Sequence, residues 1–366
     1  MFDQPAKVLR LDLPPGRRIL AVSDIHGNLP YFDALLKKAH FSENDELIVV
    51  GDFLEKGADS LGTLRRIMAL SKGGNVHAVC GNCDDWFDIF RPGWSAAGDE
   101  HAMRYVRWRK GGLLWEMLSA CGVDPMAVAR LGDHKALLLQ RFPEEWAFLE
   151  ALPHAIEMER FVFAHAAADP SKALSEHRAE EFCRFDSLLT SGRRFDKWLI
   201  VGHWPVVLYG EDKVCANPII HREKHIICID GGCVLKDDGQ LNALVIPHKD
   251  SEDFDFIAYD PFPERRVLHS PAEGGRSYYI RWGDSQVQVL QRGEEFSRCR
   301  HVRTGYEMDI LTKYLFTEEE ITGCNDCTDY VLPLEAGDIV RVVEETSRGY
   351  FVKHKGVSGW YFGDLA

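Results

Sequence analysis

The stretch Ile19-Leu20-Ala21-Val22-Ser23-Asp24-Ile25-His26-Gly27-Asn28 decides how the chain is read. Four apolar residues form a short buried strand that stops at an Asp-x-His-Gly turn, after which a helical pattern begins with Phe32, Leu35, Leu36 and Ala39 on one face. A strand that delivers a carboxylate and an imidazole two residues apart to its carboxyl end builds half of a metal site. The next strand, Leu47-Ile48-Val49-Val50, runs directly into Gly51-Asp52, closing a βαβ unit whose loops gather where open α/β sheets place ligands.

The pattern recurs outward from there. A helix is predicted over Leu61 to Leu70, then a strand Val76-His77-Ala78-Val79 that ends in Gly81-Asn82-Cys83-Asp84. Residues 98–152 change character, becoming aromatic-rich and helical, and read as an insertion over the site. Strands resume at Phe161-Val162-Phe163-Ala164 before His165, and at Trp198-Leu199-Ile200-Val201 before Gly202-His203. Ile226-Ile227-Cys228-Ile229 before Asp230-Gly231-Gly232 and Ala243-Leu244-Val245-Ile246 follow. Residues 251–300 read as a connector, acidic and Pro-rich from Asp250 to Pro263 and alternating like strands of no assigned sheet from about Ser277 to Gln291, and 301–366 as a small all-β barrel marked by Gly337-Asp338 and Gly359-Trp360.

Composition sets bounds. With 366 residues, 45% of them hydrophobic, the chain is long enough for a large α/β domain and an appendage. A net charge of −14 argues against a nucleic-acid partner held through a basic face. No apolar run long enough to span a membrane and no secretion leader are visible, and the ten cysteines are scattered, so a cytoplasmic protein with reduced thiols is expected. Cys80/Cys83 and Cys324/Cys327 each have Cys-x-x-Cys spacing but lie far apart, which argues against a zinc ribbon.

Collected from the strand ends, Asp24, His26, Asp52, Asn82, His165 and His203 form a set of oxygen and imidazole donors suited to two divalent cations that share one carboxylate. Singly, each has a bland alternative: a helix cap for Asp52, a turn for Asn82, a core histidine for His165.

In this order, Asp24-x-His26-Gly27, Gly51-Asp52-x4-Gly57, Gly81-Asn82, His165 and Gly202-His203 resemble the calcineurin-like metallophosphoesterases, over roughly residues 18–247. The likeness is closest to the phosphoprotein phosphatase branch, which includes protein phosphatase-like and diadenosine tetraphosphatase-like members. The resemblance implies a four-layer α-β-β-α sandwich over residues 1–250, with Asp24 and His26 on one metal, Asp52 bridging, and Asn82, His165 and His203 on the other. It implies hydrolysis of a phosphomonoester, with a phosphoprotein as one candidate, by water activated on two metals. Mn²⁺ is the expected ion, with Fe and Zn²⁺ as alternatives. The alternatives for function are a nucleotide or diadenosine-polyphosphate hydrolase, a phosphodiesterase, and a catalytically weak binding scaffold.

The family usually reads Gly-Asp-x-x-Asp-Arg-Gly and Gly-Asn-His-Glu/Asp, whereas this chain has Glu55-Lys56 and Cys83-Asp84. Asp52, Asn82, Cys83, Asp84 and Glu55 are therefore the catalytic candidates, with Glu55 standing where the family places the partner of its histidine. Lys56 and Arg104 are the candidates for binding substrate phosphate, Lys56 as a point charge without the fork of an arginine. The tail resembles a Src-homology-3-like barrel, which implies docking of a peptide or packing within the chain.

Overall fold

The computed structural model describes residues 4–271, 274–318 and 320–366. Among the described residues, twelve strands and seven α-helices lead through residue 260. In chain order they are β1 (Val8–Arg10), β2 (Ile19–Val22), α1 (Leu29–Lys38), β3 (Glu46–Val50), α2 (Ser60–Ser71) and β4 (Val76–Val79). Then come α3 (Ala96–Arg109), α4 (Leu113–Ala120), α5 (Lys135–Arg141), α6 (Pro143–Ala151), β5 (Ala155–Glu157), β6 (Phe161–Ala164) and α7 (Ala179–Cys183). β7 (Trp198–Val201), β8 (Val214–Cys215), β9 (Ile219–His221), β10 (Ile226–Cys228), β11 (Leu241–Ile246) and β12 (Asp255–Tyr259) complete the set. The chain divides into two compact units, the first made of residues 1–205, 218–235 and 239–260.

Two sheets face each other in the first unit. One has the order β12-β11-β2-β3-β4, with β2, β3 and β4 parallel, and the other β1-β5-β6-β7-β10-β9. Alternate residues point to opposite faces of a strand. Ile19, Ala21, Ile48 and Val50 from the first sheet accordingly meet Phe161, Phe163, Ile200 and Ile227 from the second in one buried core. Leu20, Val22, Leu47 and Val49 point the other way and are equally inaccessible. Their cover includes α1 and α2, which turn Phe32, Leu35, Leu36, Leu64 and Ile67 inward. A strand buried on both faces reads as a continuous apolar run, which is why these strands stand out in the sequence.

Between β4 and β5 lie the helices α3 to α6. Two glutamates clip them to the parallel sheet's loops. Glu55 accepts the Leu113 amide at the start of α4, and Glu116 on α4 accepts the Ser60 and Leu61 amides at the start of α2. Each carboxylate satisfies first-turn N–H groups that have no partner inside their own helix.

Residues 206–217, 236–238 and 261–366 form the second unit. This changes the expected boundaries. Within residues 251–300, β12 pairs with β11 in the first unit, strands run at Glu264–Arg266 and Phe296–His301, and the alternating stretch from Ser277 to Gln291 holds the strands Tyr279–Ile280 and Val287–Gln291. Nor is 301–366 a self-contained barrel. Its antiparallel strands Ile339–Thr346, Gly349–His354 and Val357–Tyr361 take Glu264–Arg266 on one side and β8 on the other. The physical reason is that both outer strands expose unpaired amides, which short segments from elsewhere in the sequence satisfy. Trp360, one of the residues that mark the barrel in the sequence, is 8% exposed and donates its indole N–H to Thr328 O at 2.7 Å. Its ring is used by the unit's own packing, and peptide docking is not carried forward.

Candidate metal centre

The loops after β2, β3, β4, β6 and β7 bring Asp24, His26, Asp52, Asn82, His165 and His203 together. His26 Nε2 lies 3.7 Å from Asp24 Oδ1 and 3.9 Å from Asp52 Oδ2. His165 Nε2 lies 3.2 Å from Asp52 Oδ1 and 3.1 Å from Asn82 Oδ1, and the His165 and His203 rings are 5.1 Å apart. Donors around one ion with bonds of about 2.0–2.2 Å stand roughly 3–4 Å from one another.

Each imidazole has one nitrogen anchored and the other turned inward. His26 Nδ1 donates to Leu54 O at 3.2 Å, and His165 Nδ1 to Val50 O at 3.0 Å, leaving both Nε2 atoms toward the carboxylates. His203 is held the opposite way, through Nε2 to Asp186 Oδ1 at 3.2 Å, which leaves Nδ1 free. Such outer hydrogen bonds fix the tautomer and aim of ligating histidines.

The carboxylates are tied across loops. Asp24 Oδ2 accepts the His203 amide at 3.0 Å, while Asp24 Oδ1 is buried without a hydrogen-bond partner. A buried carboxylate oxygen without a donor is costly unless a cation takes its place. Asp52 Oδ1 accepts the Cys83 amide at 2.8 Å. Asp84, fully buried, accepts three amides: Asp52 at 2.7 Å, Gly81 at 2.8 Å and Leu54 at 3.1 Å. It fixes the bridging loop against the Asn82 loop. Two motif glycines follow from the same crowding, because a Cβ on Gly81 would collide with Asp52 and one on Gly202 with Asp24.

The backbone is bent back at four of the six donors. Asp24, His26, Asp52 and His203 all have φ between 49° and 66°. Left-handed backbone at non-glycine residues is uncommon and gathers at functional sites.

Burial pushes the Asp24 carboxyl well up, and the neighbouring Asp230 pushes it further. Burial lowers His26 to about 3 and His203 to about 4, keeping both rings neutral as ligation requires. His165 goes the other way. Burial opposes its charge, but the adjacent Asp52 outweighs this and raises it to about 10, the mark of a proton standing where a cation fits. The donor set, the orphaned Asp24 oxygen and the anchored rings fit a pair of divalent cations.

The remaining candidates fall in different places. Cys83 is half-buried beside the centre, its Sγ accepting the Asn82 amide group at 3.4 Å. Lys56 reaches the centre, with Nζ 3.3 Å from His26 Nε2. Glu55 turns away into the helical insertion, where it accepts Leu113 N–H at 2.9 Å and Tyr105 O–H at 3.1 Å. Burial, the largest influence, raises its carboxyl to about 7. Arg104 stays exposed on α3, where it lies 3.2 Å from His101. Sequence reasoning passed over Asp186, which backs His203, and it left Asp230 out of the site. Asp230 is fully buried, with Oδ2 lacking a hydrogen-bond partner. Its position at the end of β10, one more apolar strand stopping at an Asp-Gly, was the available signal.

The calcineurin-like phosphoesterase family profile matches residues 17–222, more than half of the chain and the whole run of ligand motifs. The chain belongs to this family. Among curated proteins it is 27% identical over 150 residues to a symmetrical bis(5'-nucleosyl)-tetraphosphatase from Chromohalobacter salexigens, covering 41% of this chain and 54% of that one. A protein of the same name from Ralstonia nicotianae is 42% identical over 64 residues, 18% of this chain and 22% of its own. The chain thus spans about half or less of the length of these relatives. Among solved structures, a metallophosphoesterase from Sphaerobacter thermophilus matches at a TM-score of 0.39 and 17% identity, covering 66% of this chain and 88% of that one. The family is one of phosphoesterases, and Asp24, Asp52 and His165 form one of the groups here that could hold a metal ion.

Proposed function

We propose that this hydrolase cleaves the phosphoanhydride of a nucleoside polyphosphate, the dinucleoside polyphosphates being the first class to test. The observation that carries this reading is Cys83 in the position after Asn82, where the resembling family has an imidazole. Without an imidazolium to protonate it, an alkoxide leaving group departs poorly. A nucleotide phosphate, whose second ionisation lies near ~6, departs without help. An aryl phosphate shares that property, whereas a phosphoserine does not.

Two further observations support the nucleotide. Trp86, Tyr105 and Trp108 form a ladder with ring centroids 6.1 Å apart at each step, and Trp108 is 73% exposed at its end. α3, which carries Tyr105 and Trp108 of the ladder, touches the metal loop through Tyr105 on Glu55 and through Arg109 on Lys56 O. An exposed indole is a stacking surface for a base. The curated relatives carry the tetraphosphatase activity in their names.

In this reading Asp24, His26, Asp52, Asn82, His165 and His203 hold two divalent cations, with Mn²⁺, Fe and Zn²⁺ all compatible with the donors. When bound, such a pair polarises phosphoryl oxygens and activates water. Lys56 binds a phosphate oxygen, Asp84 keeps the bridging and Asn82 loops in register, Asp186 orients His203, and Trp108 stacks on the base. Ten scattered cysteines suit a reducing compartment, and we place the protein in the cytoplasm. Among the described residues, no helix is long and apolar enough to cross a membrane.

The test is turnover of diadenosine tetraphosphate, an aryl phosphate and a phosphoserine peptide on one preparation, with Asp52→Asn as the blank. Faster cleavage of the dinucleotide, with a KM raised several-fold by Trp108→Ala while aryl phosphate turnover holds, is the expected result. Preference for the peptide overturns the nucleotide reading.

A further inference from the structure

The structure places Cys83 Sγ, His26 Nε2 or Nδ1 and an Asp52 oxygen within 4.8 Å of one another, as a three-donor group adjoining the Asp24-Asp52-His165 group. The two groups share Asp52. We infer that Cys83 is itself a metal ligand: as a thiolate it completes the sphere of the cation held by Asp24, His26 and Asp52. This rests on the dinuclear reading above and adds a sulfur donor to it.

A donor count, a bond-length limit and three observations carry the inference. In the dinuclear reading the second cation would have four protein donors in Asp52, Asn82, His165 and His203 and the first only three, so it is the first that has a place for another. A zinc thiolate bond of about 2.3 Å and an imidazole bond of about 2.1 Å allow donors up to roughly 4.4 Å apart on one ion, so a small side-chain rotation brings the sulfur in. The Cys83 amide is bonded to Asp52 Oδ1 at 2.8 Å, which ties the cysteine backbone to the bridging carboxylate. Independently, Asp24 Oδ1 is buried, lacks a hydrogen-bond partner and stands 3.7 Å from His26 Nε2, an unsatisfied oxygen beside the same imidazole. The Asn82 amide group and the Lys56 ammonium beside His26 both present N–H donors here, surroundings in which sulfur accepts.

On binding, the Sγ–H bond breaks as the sulfur–metal bond forms and the proton passes to solvent; nothing is oxidised or reduced. A sulfur donor shifts preference toward Zn²⁺, Fe²⁺ and Co²⁺ and away from Mn²⁺ and Mg²⁺. It also leaves residue 83 with no proton to give a leaving group, in keeping with an anhydride substrate.

The experiment titrates the metal-free full chain with Co²⁺ while absorbance and bound metal are recorded together. A near-ultraviolet thiolate-to-cobalt charge-transfer band is expected. It should disappear in Cys83→Ser and persist in the Cys324→Ser/Cys327→Ser variant, which controls for the thiol pair in the second unit. Zn²⁺ affinity should fall about 10-fold or more in Cys83→Ser while Mn²⁺ affinity changes far less. In the unmutated protein, Zn²⁺ should protect Cys83 from alkylation, read by peptide mass spectrometry, so the test does not depend on the variant folding. Two bound Co²⁺ ions without the band, a band that survives Cys83→Ser, or equal alkylation with and without Zn²⁺ at saturation overturns the sulfur ligand alone. No Co²⁺ bound by the unmutated protein overturns the dinuclear reading with it.

Discussion

Glu55 offers a test of how the helical insertion is held. The carboxyl is 2% exposed, and burial raises it from an ordinary 4.5 to about 7 against the lowering effect of the Leu113 and Tyr105 hydrogen bonds. Over the range between those values the folded chain binds a proton that the unfolded chain does not. Stability from this group is therefore fully present below pH 4.5 and is lost as pH rises through 7. A shift of this size corresponds to about 3 kcal/mol in all, of which roughly 2.5 kcal/mol falls between pH 5 and pH 8. Glu55→Gln keeps the size of the side chain, an acceptor for the Leu113 amide and a donor toward Tyr105, but cannot ionise. Urea unfolding of the metal-free protein, followed at pH 5 and pH 8 for both forms, isolates the term as a double difference. The variant should gain about 2.5 kcal/mol on the parent between the two pH values. A parent-to-variant gap that is the same at pH 5 and pH 8 refutes the reasoning.

Asp84→Ala strands three buried amides, at about 1–3 kcal/mol each. It should lower stability by about 3 kcal/mol or more and weaken binding of both metals, measured by urea unfolding and equilibrium dialysis. Gly112 has φ +90° and its added Cβ would run into the Glu55 carboxylate. Gly112→Ala should thus cost about 2 kcal/mol or more by thermal unfolding, with Glu55→Ala in the same chain recovering part of it.

Much of the first unit was legible because its strands are buried on both sides and so appear as unbroken apolar runs, each stopping at a polar residue. Ile19–Val22, Glu46–Val50 and Trp198–Val201 are of this kind. The donors were legible for the same reason, since the chain must leave the sheet where the apolar run ends. What was hidden depends on contacts between distant residues. Glu55 has the spacing of a partner to the residue at 83, but the insertion offers it an α-helix start and a tyrosine hydroxyl instead. Asp186 sits in an exposed loop 17 residues before His203 with no periodicity around it. In the second unit, strands as short as Val214–Cys215 and Tyr279–Ile280 carry too few residues to show alternation. Their existence follows from the edges they cover.

The bent-back backbone at Asp24, His26, Asp52 and His203 has a consequence for the history of such a chain. At each position glycine would adopt the same conformation at less cost, a difference of about 1 kcal/mol for an ordinary side chain and less for aspartate. That penalty is paid whether or not a cation is bound. Heat resistance and hydrolytic competence therefore pull these four positions in opposite directions. A lineage selected for durability alone would be expected to replace them first, leaving a sturdier sandwich that no longer holds its ions.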